Sequence, residues 1–171
     1  RARLEAEGHR FYTTTDTEVL LHLYEENWPS CVDELYWQFA FAVWDAPRRS
    51  LFLARDHFGI CPLYYAEHDG SFLFASGVKA LIASRLLPPA ALSARALDQV
   101  FTFWTTLPGV TAFANIQVLE PGHTLTVDAQ GSHLRKYWDI PYNPPESCSQ
   151  ESPGAISEQV LALLMDATRI R

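Results

Sequence analysis

Residues 51–81, LFLARDHFGICPLYYAEHDGSFLFASGVKAL, decide the fold of this chain. Short apolar runs in this stretch alternate with polar residues and are separated by Pro, Gly and Asp, a pattern typical of an antiparallel meander. The run FAFAVW at 39–44, just upstream, alternates in the same way, and Asp69-Gly70 has the composition of a hairpin turn. The pattern predicts strands at Phe39–Trp44, Leu51–Arg55, Leu63–Ala66 and Phe72–Ala75.

Helix-forming sequences flank this meander. Thr15 to Glu18 has the S/T-x-x-E form of a capping box, in which the Thr and Glu side chains satisfy free backbone N–H groups. An apolar stripe at helical spacing follows and ends at Trp28-Pro29. Further helices are predicted at Val78–Ser84 and at Ala94–Phe103, with Ser93 as a cap. Further strands are predicted at Ile116–Leu119, Thr124–Asp128 and Leu134–Trp138.

The composition narrows the classes of protein to which this chain can belong. Apolar residues make up 48% of the 171 residues, which is enough for a packed core. The formal net charge is −7, and this argues against nonspecific binding to nucleic acid or to an anionic membrane, because both need a positive field. No apolar run approaches the length of a membrane-spanning helix. We therefore expect no nucleic-acid partner and no membrane partner.

Cysteine and histidine patterns argue against a disulfide framework and against a metal centre. The three cysteines, at 31, 61 and 148, are widely spaced and form no CxxC motif. The six histidines form no HxH or HExxH pattern. These patterns predict neither a disulfide framework nor a metal centre, and they favour a reduced, cytoplasmic environment.

The chain divides by composition into three parts. Residues 1–140 form one α+β unit, and the Pro- and Ser-rich segment 141–153 is typical of a linker. Residues 154–171 carry a helical apolar stripe that begins a further domain. Because helical patterns are already running at Arg1 and still running at Arg171, we expect the chain to be a piece of a larger protein.

Taken alone, the residues suggest little chemistry. Arg55-Asp56-His57 invites comparison with a charge-relay group, but a strand end with a local ion pair and a turn explains it better. Cys61 is a nucleophile candidate with no identifiable group to lower its pKa, so a structural or incidental cysteine is the preferred interpretation. Asp16 lies in the first turn of a helix, where the dipole alone favours a carboxylate.

Six blocks of sequence, taken together, indicate a specific protein family. They are TDTEVLLHLYEE (15–26), FAFAVWD (39–45), LFLARDHFGICPLYY (51–65), FASGVKAL (74–81), LEPGH (119–123) and KYWD (136–139). In this order they resemble the (S/T)DTEV, FAFAxWD, LFLARDRFGIKPLYY, FASEIKAL, LPPGH and (R)YWD blocks of the glutamine-hydrolysing asparagine synthetases. That family carries a class II glutamine amidotransferase domain of the N-terminal-nucleophile hydrolase type.

The resemblance implies a fold and a reaction. The fold is an α+β, αββα sandwich, with two antiparallel sheets between helix layers. A cysteine at the mature N-terminus attacks the glutamine amide, with its own α-amino group as base. The released ammonia passes to a second domain, which uses ATP and Mg²⁺ to amidate aspartate. Residues 154–171 then correspond to the first helix of that ATP-pyrophosphatase domain.

By the same resemblance, Asp16 matches the aspartate that holds the α-ammonium group of the substrate glutamine. The nucleophile, the arginine segment for the glutamine carboxylate and the oxyanion segment correspond to sequence upstream of Arg1. No cysteine of this chain inherits the catalytic role, and no cofactor is expected in it. We therefore expect the chain alone to be inactive.

Two alternatives stay open at this point. One is an amidotransferase for a different carboxylate acceptor, and the other is a non-catalytic sandwich that serves as an interaction or regulatory module. Homo-oligomerisation is also open. The chain departs from the family blocks at Trp37, Gln38, His57, Cys61 and Gly77, and the loss of glycine before Phe39 raises the question of turn geometry there.

Overall fold

The computed structural model describes residues 1–142 and 151–170. It separates into two compact units, Arg1–Asp139 and Ile140–Arg171. The first unit contains both sheets, and the second contains one long helix. Residues 143–150 of the predicted linker 141–153 lie outside the described residues. The assignment of 154–171 to a following domain stays a prediction.

Helices and strands lie close to the positions that the sequence predicts. The helices are α1 (Ala2–Ala6), α2 (Asp16–Asn27), α3 (Val78–Ala83), α4 (Ala94–Phe103) and α5 (Pro153–Ile170), with a short 3-10 helix at Ser30–Glu34. The strands are β1 (Ala40–Asp45), β2 (Ser50–Arg55), β3 (Tyr64–His68), β4 (Ser71–Ala75), β5 (Gln117–Val118), β6 (His123–Asp128) and β7 (Gly131–Lys136).

All strand pairs in both sheets are antiparallel. The first sheet has the order β1-β2-β6-β7 and the second has the order β4-β3-β5. In the first sheet Leu53 of β2 lies opposite Ala42 of β1 and Leu125 of β6, so these side chains share one face of the sheet. The alternation of side chains therefore gives each sheet two faces with different neighbours.

Three hydrophobic clusters show how the layers stack. The first joins α1, α2 and the 3-10 helix to Phe52 and Ala54 of β2. The second lies between the sheets, with Leu53 and Leu125 from one and Tyr65 and Phe72 from the other. The third packs Ala66 of β3, with other residues, against Leu81 of α3. Helix, sheet, sheet and helix thus follow in order, which confirms the αββα sandwich.

The second unit contains α5. Ser152 caps it, because the Ser152 Oγ accepts a hydrogen bond from the Ala155 N–H at 3.3 Å, and Pro153 occupies the first helical position. Within the described ranges, no helix combines the length and the apolar character that a membrane crossing requires.

Candidate functional site

A cavity of about 470 Å³ opens between the start of α2 and the two sheets. The start of α2, the region of β1, the loop between β2 and β3, and the turn after β4 all contribute to it. Its walls are formed by Asp16, Thr17, Leu20, Leu35, Trp37, Gln38, Phe39, Ala40, Phe41, Cys61, Pro62 and Ser76. Apolar walls with a few polar groups are typical of a site for a small molecule.

Asp16 is the first residue of α2 and stands exposed at this cavity. Across 1–142 and 151–170, its carboxylate has no hydrogen bond or ion pair to another side chain or to the backbone. The helix dipole favours a negative charge at this position. Asp16 therefore lies at a cavity, and its role in binding glutamine stays a proposal.

The loop that leads into α2 is fixed by Glu18 rather than by a capping box. Thr15 is the N-cap residue, but its side chain makes no capping hydrogen bond. The Glu18 carboxylate instead accepts hydrogen bonds from the backbone N–H groups of Tyr12 and Thr13, both at 2.7 Å, and from the Thr13 hydroxyl at 2.6 Å. These donors, with the Thr13 hydroxyl first, lower the pKa of Glu18. The capping-box bond from the Thr15 N–H to Glu18 does not form, because this N–H donates to the Thr13 hydroxyl at 3.3 Å.

Arg55 supports the loop that brings Cys61 and Pro62 to the cavity. Its guanidinium donates hydrogen bonds to the backbone carbonyls of Gly59 at 2.6 Å, Cys61 at 2.8 Å and Leu119 at 2.5 Å. Burial lowers the pKa of this guanidinium. The local ion pair expected at Arg55-Asp56 is thus replaced by contacts with three carbonyls, which tie the β2–β3 loop to the end of β5.

Asp56 completes this support from the other side of the loop. It is buried, and its carboxylate accepts hydrogen bonds from the N–H groups of Phe58, Ile60 and Cys61 at 2.9 to 3.2 Å. His57 points its ring edgewise at Tyr137, 5.4 Å away between centroids. The residues Arg55-Asp56-His57 therefore act on the loop and on packing, and they do not form a relay.

The cysteines of the described residues have different environments. Cys31 is fully buried, and burial raises the pKa of its thiol to about 11. Cys61 is partly exposed and lines the Asp16 cavity. The sequence favours a structural or incidental Cys61, because no neighbouring residue in the chain would lower its pKa. Its place beside Asp16 at the cavity comes from the folded sandwich. Cys148 lies outside the described residues.

Three further departures from the family blocks are Trp37, Gln38 and Gly77. Trp37 and Gln38 line the same cavity, and neither they nor Tyr36 has a positive φ, so the turn before β1 needs no glycine. Gly77 is the N-cap of α3 with an extended φ of −152° and open space where a side chain would start. Of the five departures, three therefore contribute to the cavity itself.

A second and larger cavity was not predicted. It has a volume of about 660 Å³ and is lined mainly by the segment 105–113, with Arg55, Tyr64 and Glu120 beside it. The segment has no regular periodicity, so nothing in the sequence pointed to it. Arg55 lines this second cavity, and it also donates a hydrogen bond to the carbonyl of Cys61, which lines the first.

Comparison with known proteins identifies the class. Residues 1–138 match the family model described as a glutamine amidotransferase domain. The chain belongs to this family.

Individual relatives of the chain are more specific than the family model. The chain is 41% identical over 141 residues to Asparagine synthetase [glutamine-hydrolyzing] 3 of Bacillus subtilis (strain 168), covering 82% of this chain and 23% of that protein. It is 32% identical over 168 residues to Amidase chry2 of Gibberella zeae, covering 97% of this chain and 24% of that protein. The chain thus spans about a quarter of the length of these relatives.

A solved structure supports the fold. The glutamine phosphoribosylpyrophosphate amidotransferase of B. subtilis, solved with ADP and GMP, superposes with a TM-score of 0.56 at 21% sequence identity. The match covers 83% of this chain and 26% of that one. At this identity the likeness concerns the fold alone, and it agrees with the sandwich described above.

Proposed function

We propose that this chain is the glutamine-binding part of the glutaminase domain of an asparagine synthetase-type amidotransferase. The observation that carries the proposal is the unpartnered Asp16 carboxylate at a cavity built from both sheets. The α-ammonium of glutamine meets this carboxylate in a charge-assisted hydrogen bond. The apolar walls suit the methylene groups of the substrate, and the α2 dipole favours a negative charge at the position of Asp16.

In the parent reaction, glutamine hydrolysis supplies ammonia for the ATP-dependent amidation of aspartate. ATP and Mg²⁺ bind in the synthetase domain of the parent protein. In our proposal, no residue of this chain binds them. Family membership and 41% identity to a glutamine-hydrolyzing asparagine synthetase support this assignment. The free thiols of Cys31 and Cys61 support a reducing, cytoplasmic location.

The glutaminase nucleophile is not one of the described cysteines in this proposal. The Cys31 thiol is buried and weakly acidic, so it is neither accessible nor ionised at neutral pH. Cys61 lies within the chain and has no adjacent α-amino group to act as its base. The chain alone is therefore expected to bind glutamine without releasing ammonia.

A second candidate keeps the glutaminase and changes the acceptor. The alignment with Amidase chry2 covers 97% of this chain, more than the 82% covered by the synthetase relative. A relative named an amidase rather than an asparagine synthetase is the observation behind this second candidate. The two candidates share the glutamine site and differ only in the acceptor, so the Asp16 experiment tests both.

Binding of L-glutamine to the purified chain, followed by ligand-observed NMR, tests this site. We expect Asp16→Asn to weaken binding about 10- to 100-fold, because a charge-assisted hydrogen bond contributes about 1.5–3 kcal/mol. Asp69→Asn is the matched control, since Asp69 is exposed in the β3–β4 turn and does not line the cavity. Equal affinity in Asp16→Asn and wild type, or no binding by wild type, would contradict the proposal.

A further inference from the structure

A compact group of nitrogen and oxygen donors lies on α2 outside the glutamine cavity. His22 and Glu25 are three residues apart on one face of the helix, and His9 reaches them from the segment after α1. The two imidazoles are mostly buried, with 14% of the His9 side chain and 15% of the His22 side chain exposed. We propose that His9, His22 and Glu25 bind a divalent transition metal of the zinc class.

The donor atoms are close enough to share one cation. The Nδ1 atoms of His9 and His22 are 2.9 Å apart, and Glu25 Oε2 is 3.0 Å from His22 Nδ1 and 3.9 Å from His9 Nδ1. Ligands around a tetrahedral zinc ion at about 2.0–2.1 Å are separated by about 3.3 Å. The three observed separations bracket this value, and three protein ligands leave a fourth position for water.

A second carboxylate selects the tautomer of His9. Glu26 Oε1 lies 2.8 Å from His9 Nε2, and in the neutral ring this arrangement favours the tautomer whose Nε2–H donates a hydrogen bond to Glu26. The Nδ1 atom of His9 then presents its lone pair to the cluster. A carboxylate that binds the outer nitrogen of a histidine is the usual support of a metal-bound imidazole.

Hydrogen bonds alone do not satisfy every acceptor atom in the cluster, because too few of its nitrogen atoms carry protons. With His9 Nδ1 as an acceptor, the single proton on His22 Nδ1 must serve both His9 Nδ1 and Glu25 Oε2. His22 Nε2 is buried and lacks a partner among the described residues, so the ring gains nothing from the opposite side. In the tautomer of His22 that carries its proton on Nε2, all three facing atoms present lone pairs, and one cation satisfies them at once.

The chemistry of the donors selects the kind of metal. Two imidazoles and one carboxylate suit zinc and its neighbours in the first transition series, whereas magnesium and calcium prefer oxygen ligands throughout. Two glutamates beside the imidazoles supply negative charge for a dication. Because His9 precedes the loop that leads to Asp16, the metal clips the segment after α1 onto α2. This inference is independent of the proposed glutamine site.

Isothermal titration of the purified, metal-stripped chain with ZnCl₂ tests the site. We expect saturable one-to-one binding and a higher Tm in the presence of zinc. His9→Gln and Glu25→Gln should each weaken binding at least tenfold, and Glu26→Gln by about 10- to 100-fold through its support of His9. Glu25 is 54% exposed, so its replacement leaves folding intact.

The control is His68→Gln, because His68 also lies beside a carboxylate, 3.3 Å from Asp69 Oδ2, but on an exposed turn. Its zinc affinity should equal that of wild type. Titration with CoCl₂ identifies the ligands, and we expect d–d absorption without a thiolate charge-transfer band. A thiolate band, unchanged affinity in His9→Gln and Glu25→Gln, or no zinc binding by wild type would overturn the proposal.

Discussion

Gly122 shows how one residue fixes the turn between β5 and β6. Its φ is +65°, and a Cβ atom there would lie 2.5 Å from the Trp138 carbonyl oxygen. Its N–H donates to the Asp56 carbonyl at 3.0 Å, and its own carbonyl accepts from the Tyr137 N–H at 2.9 Å. The turn therefore depends on the absence of a side chain, which the LEPGH block indicates only by its glycine.

Replacement of this glycine tests the close contact separately from the backbone conformation. We expect Gly122→Ala to destabilise the chain by about 2–4 kcal/mol, because strain at positive φ adds to a clash with backbone. Gly70→Ala is the control, since Gly70 has a φ of +71° and nothing within 4 Å of an added Cβ. Its cost should be about 1 kcal/mol. Equal midpoints for the two variants in urea unfolding would refute the clash.

Residue identity alone indicates the Asp16 position but not its surroundings. The sequence places a carboxylate at a helix start, and this is confirmed because α2 begins at Asp16. It does not indicate that Cys61 and Trp37 line the same cavity, since their proximity comes from the stacking of layers. The same holds for His9 and His22, which no short motif connects.

The predicted bounds of helices and strands lie close to the observed bounds where apolar residues alternate or repeat. Where no such pattern exists, the predicted bounds are shifted from the observed ones. β7 begins at Gly131, three residues before the predicted Leu134, because its side chains are all exposed and show no apolar alternation. β5 is only two residues long, although the apolar residues around it favoured a longer strand. The order of strands in the sheets has no local signature, so β2 beside β6 could not be foreseen.

At the level of elements, Glu18 joins the loop before α2 to the helix. Because its folded-state pKa is lowered from the ordinary value of 4.5, its contribution to stability is present above that value. That contribution is lost as the pH falls through the lower folded-state pKa. We expect the Tm of wild type to fall in this acidic window and the fall to be smaller in Glu18→Gln.

Thermal melts at neutral and acidic pH, followed by circular dichroism, measure this difference. Glu158→Gln, an exposed substitution on α5, should retain the wild-type pH dependence. If Glu18→Gln melts with the wild-type pH profile, the hydrogen bonds from Tyr12 and Thr13 do not hold the loop in solution.

At the scale of the whole molecule, the cavity forms where the first helix layer meets the two sheets. Asp16 comes from the first helix layer, the segment 39–41 from one sheet, and Ser76 from the end of the other. The loop that carries Cys61 is held by Arg55, which also contacts the Leu119 carbonyl. The fold class could be inferred from sequence resemblance, whereas this convergence required the structure.

The rate of Cys61 alkylation by iodoacetamide, resolved by mass spectrometry, tests the glutamine site most directly. Cys61 lines the cavity with Asp16, so a bound ligand should shield its thiol. We predict that saturating L-glutamine slows the reaction several-fold, whereas glutaramate, which keeps the carboxylate and amide but lacks the α-amine, leaves it unchanged. Equal alkylation rates with L-glutamine, with glutaramate and without ligand would contradict the account.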